Sequence, residues 1–413
     1  MNITTFVGFW FPPFGFVLDE AGSSVNYWTE LLVTSSFRPS LALLFGLGFA
    51  LQLRRNPNAL GRFSLRLLVL LVFGLVHGFG IWYGDILTEY ALVGFLLIPF
   101  ARRSNVIIVL SSLLVFLAIP IIGSFMPDSY YPLDKTAIAA TFMTGSWTEV
   151  VRTNAQIFAY YLRVGAEYIP QTISCFLLGL WLGRVGALER PKEHRLFLFG
   201  ALALMSALAW WGYQQNINNY RFFFDQFFTS PTLGFAYIAA LALLISFKFF
   251  QKLFYFFSYI GRMPLTTYLT ASVVLSLLFY GYGLGWYGQF YSGQWVYVAL
   301  ALFTMQVVYS WLWLKFFRVG PLEWIWRSLT YGKFQPIRKG TVVTYSGFGK
   351  EKPVEVPNTA EQQSASSSHE ESDLEQPVET LETDWQKELE ELTPDDGQTL
   401  EQADTRDEKT IPK

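Results

Sequence analysis

Nine apolar stretches, each near the length of a bilayer crossing, are separated by polar breaks over the first 340 positions, the longest running from Met126 to Glu167. About 20 apolar residues span the hydrocarbon core as a helix. By that length residues 37–53, 65–83, 86–100, 106–125, 168–185, 196–214, 232–250, 264–282 and 295–317 read as spans. The third is short and begins at Asp85. An opening fragment at 3–18 is too short for a full crossing and carries Pro12-Pro13. The expected fold is all-α: a polytopic transmembrane helix bundle of about nine full spans plus a truncated N-terminal helix. Beyond about Gly340 the pattern stops, and Glu, Gln, Ser, Thr and Pro dominate, a composition that predicts disorder. Three parts are therefore expected: 1–36, a truncated first helix and external loop; 37–339, the membrane domain; and 340–413, an acidic cytoplasmic tail. Within the tail Leu381, Trp385, Leu389 and Leu392 recur at helical spacing. They read either as a helix that docks on a protein partner or as chance periodicity in a solvating tail.

Charge sharpens this division. Only 15% of the chain is charged, against 52% hydrophobic. The net charge of −2 hides a basic body and an acidic tail: residues 1–350 hold 25 Lys+Arg and 13 Asp+Glu, residues 351–413 hold 5 and 19. Within the body the cations cluster. Arg54, Arg55, Arg62 and Arg66 share one loop region, and Arg102 and Arg103 a second. Arg184, Arg190, Lys192 and Arg195 form a third, Lys248, Lys252 and Arg262 a fourth, and Lys315, Arg318 and Arg327 a fifth. If nine spans alternate, all five fall on one side, which the positive-inside rule makes cytoplasmic. The opposite side keeps Lys135, Arg152, Arg163 and Arg221, with Arg38 at a span edge. There the stretch IFAYYLRVGAEY suits a helix lying at the interface. The glycine-aromatic loop at 281–293 reads as a headgroup anchor or, less simply, as a cavity lining.

Ionisable groups near a bilayer core are costly and suggest a job. His77 lies in the second span, about 9 Å below Tyr83 along the helix. Trp82-Tyr83-Gly84 then turns the chain tightly, so spans two and three are antiparallel neighbours and His77 can meet Asp85 or Glu89, which share a helix face. A His held by a carboxylate is a general base, and His77, Asp85 and Glu89 are the catalytic candidates. Arg38 is placed to pair with a carboxylate or an anionic substrate group. The plainer reading is that Asp85 caps the third span. The cytoplasmic arginines, Arg66 foremost, with Arg262, could hold the phosphates of a donor such as acyl-coenzyme A, or simply orient the bundle. Glu323 and Arg327, at i,i+4 in GPLEWIWRSLTY, are expected to stabilise a short helix, with Trp324 and Trp326 at the interface.

Other chemistries lack support. The one cysteine, Cys175, allows no intrachain disulfide and no CxxC site. His77, His194 and His369 lack metal-ligand spacing. No GxSxG, Walker A or HExxH motif occurs. No secretory signal is evident at the start.

SFRPSLALLFGLGFALQLRR, RLLVLLVFGLVHGFGIWYGDILTEYA, GRMPLTTYL and GPLEWIWRSLTY together resemble the YeiB family of bacterial integral membrane proteins, a domain of unknown function (418). The match runs from Ser36 to Tyr331. It marks Gly84, Tyr90, Gly320, Pro321, Glu323, Trp324 and Arg327 as motif positions. Family members usually open with a helix carrying Asp-x-x-Arg-Gly. MNITTFVGFW matches only the outer end of that helix, so the first half-helix is expected to be missing, with the start placed too far downstream. The family is distantly similar to transmembrane acyltransferases, which implies acyl transfer from a cytoplasmic donor to an extracytoplasmic small molecule or glycan, in a bacterial plasma membrane. A transporter or flippase with a proton relay, and a non-catalytic scaffold acting through the tail, are the alternative classes. The expected partners are the bilayer, the acceptor and a protein docking on the tail. Nucleic acid, metal and a resident cofactor are not expected.

Overall fold

The computed structural model describes residues 3–56, 59–124, 134–164, 169–217 and 228–339. The expected acidic tail at 340–413, Arg221 and part of the long loop after residue 125 lie outside them. The described chain is all-α. Helices run α1 Ile3–Val7, α2 Glu20–Thr29, α3 Ser35–Arg55, α4 Leu60–Gly80, α5 Leu87–Phe95, α6 Asn105–Ser124, α7 Lys135–Thr144, α8 Trp147–Val164, α9 Ile169–Val185, α10 Arg195–Ile217, α11 Ser230–Ile245, α12 Lys248–Phe254, α13 Ser258–Gly261, α14 Pro264–Phe279, α15 Trp295–Phe316 and α16 Pro321–Tyr331.

Among the described residues, four helices are long and apolar enough to cross a membrane: Glu20–Arg55, Leu60–Gly80, Arg195–Gln214 and Trp295–Phe316. A fifth arises if the bent pair Ser230–Ile245 and Lys248–Gly261 counts as one span. Three further apolar helices, Asn105–Ala118, Ile169–Val185 and Pro264–Phe279, are shorter. Four to five candidate spans among the described residues thus stand against the nine full spans expected. The third expected span shrinks to α5, about 13 Å long, followed by a 3₁₀ turn Ile98–Arg102 with Pro99 near its start. The seventh is broken by a 113° bend.

The N-terminal loop is also corrected. Residues 20–36 are helical and continue through a π-helical turn, Glu30–Thr34, into α3. Asp19 starts this helix by accepting the Gly22 N–H at 2.6 Å. No Gly or Pro then interrupts the run from Ser23 to Arg38.

Where helix directions can be read, they alternate. Gly74 of α4 faces Thr88, and Leu67 faces Gly94 of α5, so these two are antiparallel. Gly212 of α10 faces Thr229 just before α11, while Leu198 clusters with Ala242 and Leu243, again antiparallel. The closest approach is between α3 and α9, which run parallel from Leu43 beside Gly179 to Ala50 beside Gly183. Carbonyl oxygens of Leu43 and Phe176 stand where Cβ atoms of Gly179 and Gly46 would be. Small residues at four-residue spacing permit such contact, which matters where lipid removes any hydrophobic drive between helices.

The basic clusters consequently meet at one end. Arg54 pairs with Glu189, and Arg184 donates to the carbonyls of Phe100 (3.1 Å) and Ala101 (2.8 Å). At the other end an aromatic core gathers Phe6, Phe11, Trp82, Tyr83, Phe142, Tyr280, Tyr287 and Trp295. The loop at 281–293 contributes Tyr287 to this core, with Trp286 and Phe290 half-buried against it, while Leu284 and Tyr291 stay exposed. Tyr287 is fully buried and its hydroxyl donates to the Phe11 carbonyl at 2.8 Å. α8 is likewise not just an interfacial helix: Phe158 is buried against α4, filling the space that Gly78 leaves open.

Replacing Gly179 by Leu forces α3 and α9 apart and is expected to cost at least ~2 kcal/mol. Gly48→Leu, at a glycine of α3 with open space around it, should be close to neutral. Thermal unfolding in detergent checks the pair, and equal midpoints would contradict the packing role.

Candidate functional site

α4 places His77 one turn before its end, and the Trp82–Gly84 turn brings Asp85 back beside it. The imidazole Nδ1 lies 2.8 Å from Asp85 Oδ1, and neither side chain has any solvent exposure. The other carboxylate oxygen accepts the Thr88 N–H at 2.7 Å. Asp85 is thus both the cap of α5 and the partner of His77. Two glycines permit this. A Cβ on Gly74 would collide with Thr88 and the Asp85 carboxylate, and one on Gly84 would strike the Trp82 ring. Gly74 lies three residues before His77, on the same face, and sequence reasoning passed over it.

Tyr268 of α14 forms another wall. Its ring centroid is 4.9 Å from that of His77, and its hydroxyl accepts the Ile86 N–H at 3.3 Å. Trp82 closes a further side at 6.0 Å. Among the described residues, His77 Nε2 has no hydrogen-bond partner. Trp82 Nε1, Tyr280 Oη and Trp295 Nε1 are also buried and unpartnered. A carboxylate on Nδ1 makes that nitrogen the donor and leaves Nε2 as the acceptor, the tautomer suited to taking a proton.

Glu89 does not join His77. One turn further along α5, it pairs with Arg38 of α3 and accepts from the Thr172 hydroxyl of α9. Tyr90 is buried and donates its hydroxyl to the Arg38 carbonyl at 2.6 Å. Asp85 and Glu89 therefore serve separate pairs, one beside α4 and one joining α3, α5 and α9.

Arg66 and Arg262 stand apart from the dyad. Arg66 is eleven residues before His77, about 16 Å along α4. It donates to Gln52 Oε1 at 2.7 Å and lies 5.6 Å from the Trp326 ring centre, while its carbonyl accepts from Trp326 Nε1 at 3.0 Å. Arg262 is exposed and reaches the Arg318 carbonyl at 3.5 Å. Arg55, Arg62, Arg102 and Arg103 are exposed at the same end.

Glu323 departs from expectation. It does not turn along its own helix toward Arg327, which is exposed. It is buried, accepting the N–H groups of Leu265 (2.6 Å) and Thr266 (3.0 Å) and the Thr266 hydroxyl (2.5 Å). A carboxylate thus caps the N-terminus of α14, where Pro264 occupies the first turn. Gly320 and Pro321 open α16, and a Cβ on Gly320 would meet the Glu323 carboxylate. Trp324 Nε1 donates to the Gln335 carbonyl. At the aromatic end, hydrogen bonds from the Ser292 hydroxyl and the Gly22 amide hold the Asp19 carboxyl below the usual carboxylate range.

An all-α membrane protein with a buried His–Asp pair is the class this arrangement defines. Residues 182–333 match the family described as protein of unknown function (DUF418). YxaH of Bacillus subtilis (strain 168) is 32% identical over 331 residues, covering 73% of this chain and 81% of that protein. A 39.9 kDa protein from the amylase 3′ region of Bacillus acidopullulyticus is 29% identical over 314 residues, 74% of this chain and 82% of its own length. YeiB of Escherichia coli (strain K12) is 27% identical over 331 residues, with coverages of 73% and 83%. All three relatives are described as uncharacterized. No solved structure matches. The chain belongs to the DUF418 family.

Glu323→Ala removes the acceptor for two helix-end N–H groups and is expected to cost about 2–3 kcal/mol. Glu323→Gln, which keeps an acceptor, should cost less. Arg327→Ala should barely matter. The order of the three melting temperatures in detergent is the check, and an Arg327 effect as large as that of Glu323→Ala would contradict the cap.

Proposed function

We propose that this protein is a multi-pass protein of a bacterial plasma membrane that transfers an acyl group to an extracytoplasmic hydroxyl. The supporting observation is the buried His77–Asp85 pair with its unpartnered Nε2. His77 accepts the proton of the acceptor hydroxyl as the new C–O bond forms. The thioester C–S bond of an acyl-coenzyme A breaks, and the departing thiolate takes up a proton. Asp85 fixes the imidazole and stabilises its protonated form. The acceptor, a small molecule or glycan, enters when the walls formed by Trp82 and Tyr268 move aside, because His77 has no exposure in the closed arrangement.

The donor end is the basic one, taken as cytoplasmic by the positive-inside rule, with the acidic tail on that side. Arg66 is committed to Gln52 and Trp326. Arg55, Arg62, Arg102 and Arg103 therefore replace it as the groups for the donor's phosphates.

Transport with an intramembrane proton relay is the second reading. It is favoured by the Arg38–Glu89 pair one helical turn from Asp85, which sets two ionisable pairs in series among packed helices.

Reconstituted protein incubated with labelled acyl-coenzyme A and candidate acceptors separates the two. Acyl transfer should appear in the native protein and fall by roughly 10²–10⁴-fold in His77→Ala, which should still insert and accumulate. An unchanged rate would refute the role of His77. Solute movement that depends on Asp85 and proceeds without covalent change would favour the relay instead.

A further inference from the structure

From residue 226 to Leu322 the chain carries no Asp or Glu, yet it holds Lys248, Lys252, Arg262, Lys315 and Arg318. All five lie at one end of the bundle: after α11, before α14 and at the close of α15. For Lys248 and Lys252 this stretch of the sequence offers no carboxylate.

The bend that begins the cluster is built into the chain. α11 has sixteen residues, about 24 Å, short of the ~30 Å hydrocarbon core. The chain then turns by 113°. Hydrogen bonds hold the turn: the Gln251 side chain donates to the Ile245 carbonyl at 2.8 Å, and Ser246 Oγ donates to the Leu243 carbonyl at 2.6 Å. Carbonyls released where α11 stops are thereby satisfied without a straight continuation.

The turned segment, KFFQKLF, is two-sided. Lys248, Gln251 and Lys252 fall on one side at helical spacing; Phe249, Phe250, Leu253 and Phe254 fall on the other. Phe249 and Leu253 are 69% and 53% exposed, so the bundle does not cover this apolar side. Orientation comes from α15. Phe256 packs on Trp311 with ring centres 6.0 Å apart, and Phe257 stacks on Phe303 at 5.9 Å. Lys315 Nζ lies 3.5 Å from the Trp311 ring centre, so an ammonium group and an indole mark the same level.

We infer that α12, the 3₁₀ turn Tyr255–Phe257 and α13 lie in the plane of the membrane interface and dock anionic phospholipid headgroups. Lys248 and Lys252 meet the lipid phosphates, with Arg262 beside them. Phe249 and Leu253 insert at the headgroup–acyl boundary. Neither lysine has an acidic partner among the described residues, so a lipid phosphate supplies the missing counter-charge. The apolar side requires acyl chains, which makes the ligand a phospholipid rather than a soluble phosphate ester. This assignment is independent of the acyl-transfer reading.

The test uses the full chain with Cys175→Ala, reconstituted in phosphatidylcholine nanodiscs with and without phosphatidylglycerol. An environment-sensitive fluorophore is attached at Phe249→Cys or Lys252→Cys; Leu253→Cys replaces the first if it fails to accumulate. Position 249 should be quenched most by nitroxide lipids labelled near the glycerol, and position 252 by aqueous iodide. Nitroxide-labelled phosphatidylglycerol should quench position 249 more than labelled phosphatidylcholine, by roughly fivefold per lysine engaged. Lys248→Gln with Lys252→Gln should erase that preference, and inorganic phosphate in the bath should not. Strongest quenching of both positions by mid-bilayer nitroxide would mean that the segment continues as a span and would overturn the proposal. Equal quenching by the two headgroups, or a preference abolished by inorganic phosphate, would overturn it too.

Discussion

A single carboxylate, Asp85, ties α4 to the start of α5. One oxygen completes the start of α5 and the other fixes the His77 imidazole. A carboxylate stripped of water is tolerated only when both oxygens are satisfied. Here both partners come from a single tight hairpin. The absent side chain of Gly74 lets α5 approach α4 closely enough for this. Around the dyad, Trp82 folds over Gly84, Tyr268 reaches the Ile86 amide, and Nε2 is buried without a partner among the described residues.

The other interior carboxylates follow the same rule with different partners. Glu89 is matched by a guanidinium and a hydroxyl, and Glu323 by the N–H groups of a helix end. Each ties elements distant in sequence: α5 to α3 and α9, and α16 to α14. Between these polar clasps, glycines bring backbones into contact, as where α3 and α9 run side by side. Polar clasps and small residues are the available means of helix association where lipid surrounds the bundle. The Glu323 clasp also reaches the dyad indirectly, because α14 carries Tyr268 two residues beyond Thr266.

Much of this was legible in the chain. The short turn between two apolar runs led to the expectation that His77 meets Asp85 or Glu89, and the fold brings it to Asp85. The two readings of Asp85, cap and partner of a histidine, proved compatible because a carboxylate has two oxygens. The pairing of Arg38 with a carboxylate was foreseen, but Glu89 was its partner and so was lost to His77. Local spacing misled at Glu323: an i,i+4 cation is near, but an uncapped helix end offers three donors in fixed geometry. Apolar length misled at 86–100 and 232–250, where Pro99 and the hydrogen-bonded turn around Ser246 stop the helices early. Composition left the aromatic loop at 281–293 as an interface anchor or a cavity lining, and did not reveal that Tyr287 finds the Phe11 carbonyl.

By itself the sequence determined the all-α membrane character, the gathering of cations at one end, the α4–α5 hairpin and the family. These depend on hydrophobic length, charge asymmetry and short-range geometry, all written along the chain. Only the tertiary structure decided which carboxylate answers which partner, since Arg38, Thr172 and Thr266 lie 51, 83 and 57 residues from the carboxylates they serve. Burial makes each of those choices unforgiving, because an ionised group without its distant partner could not remain in the interior.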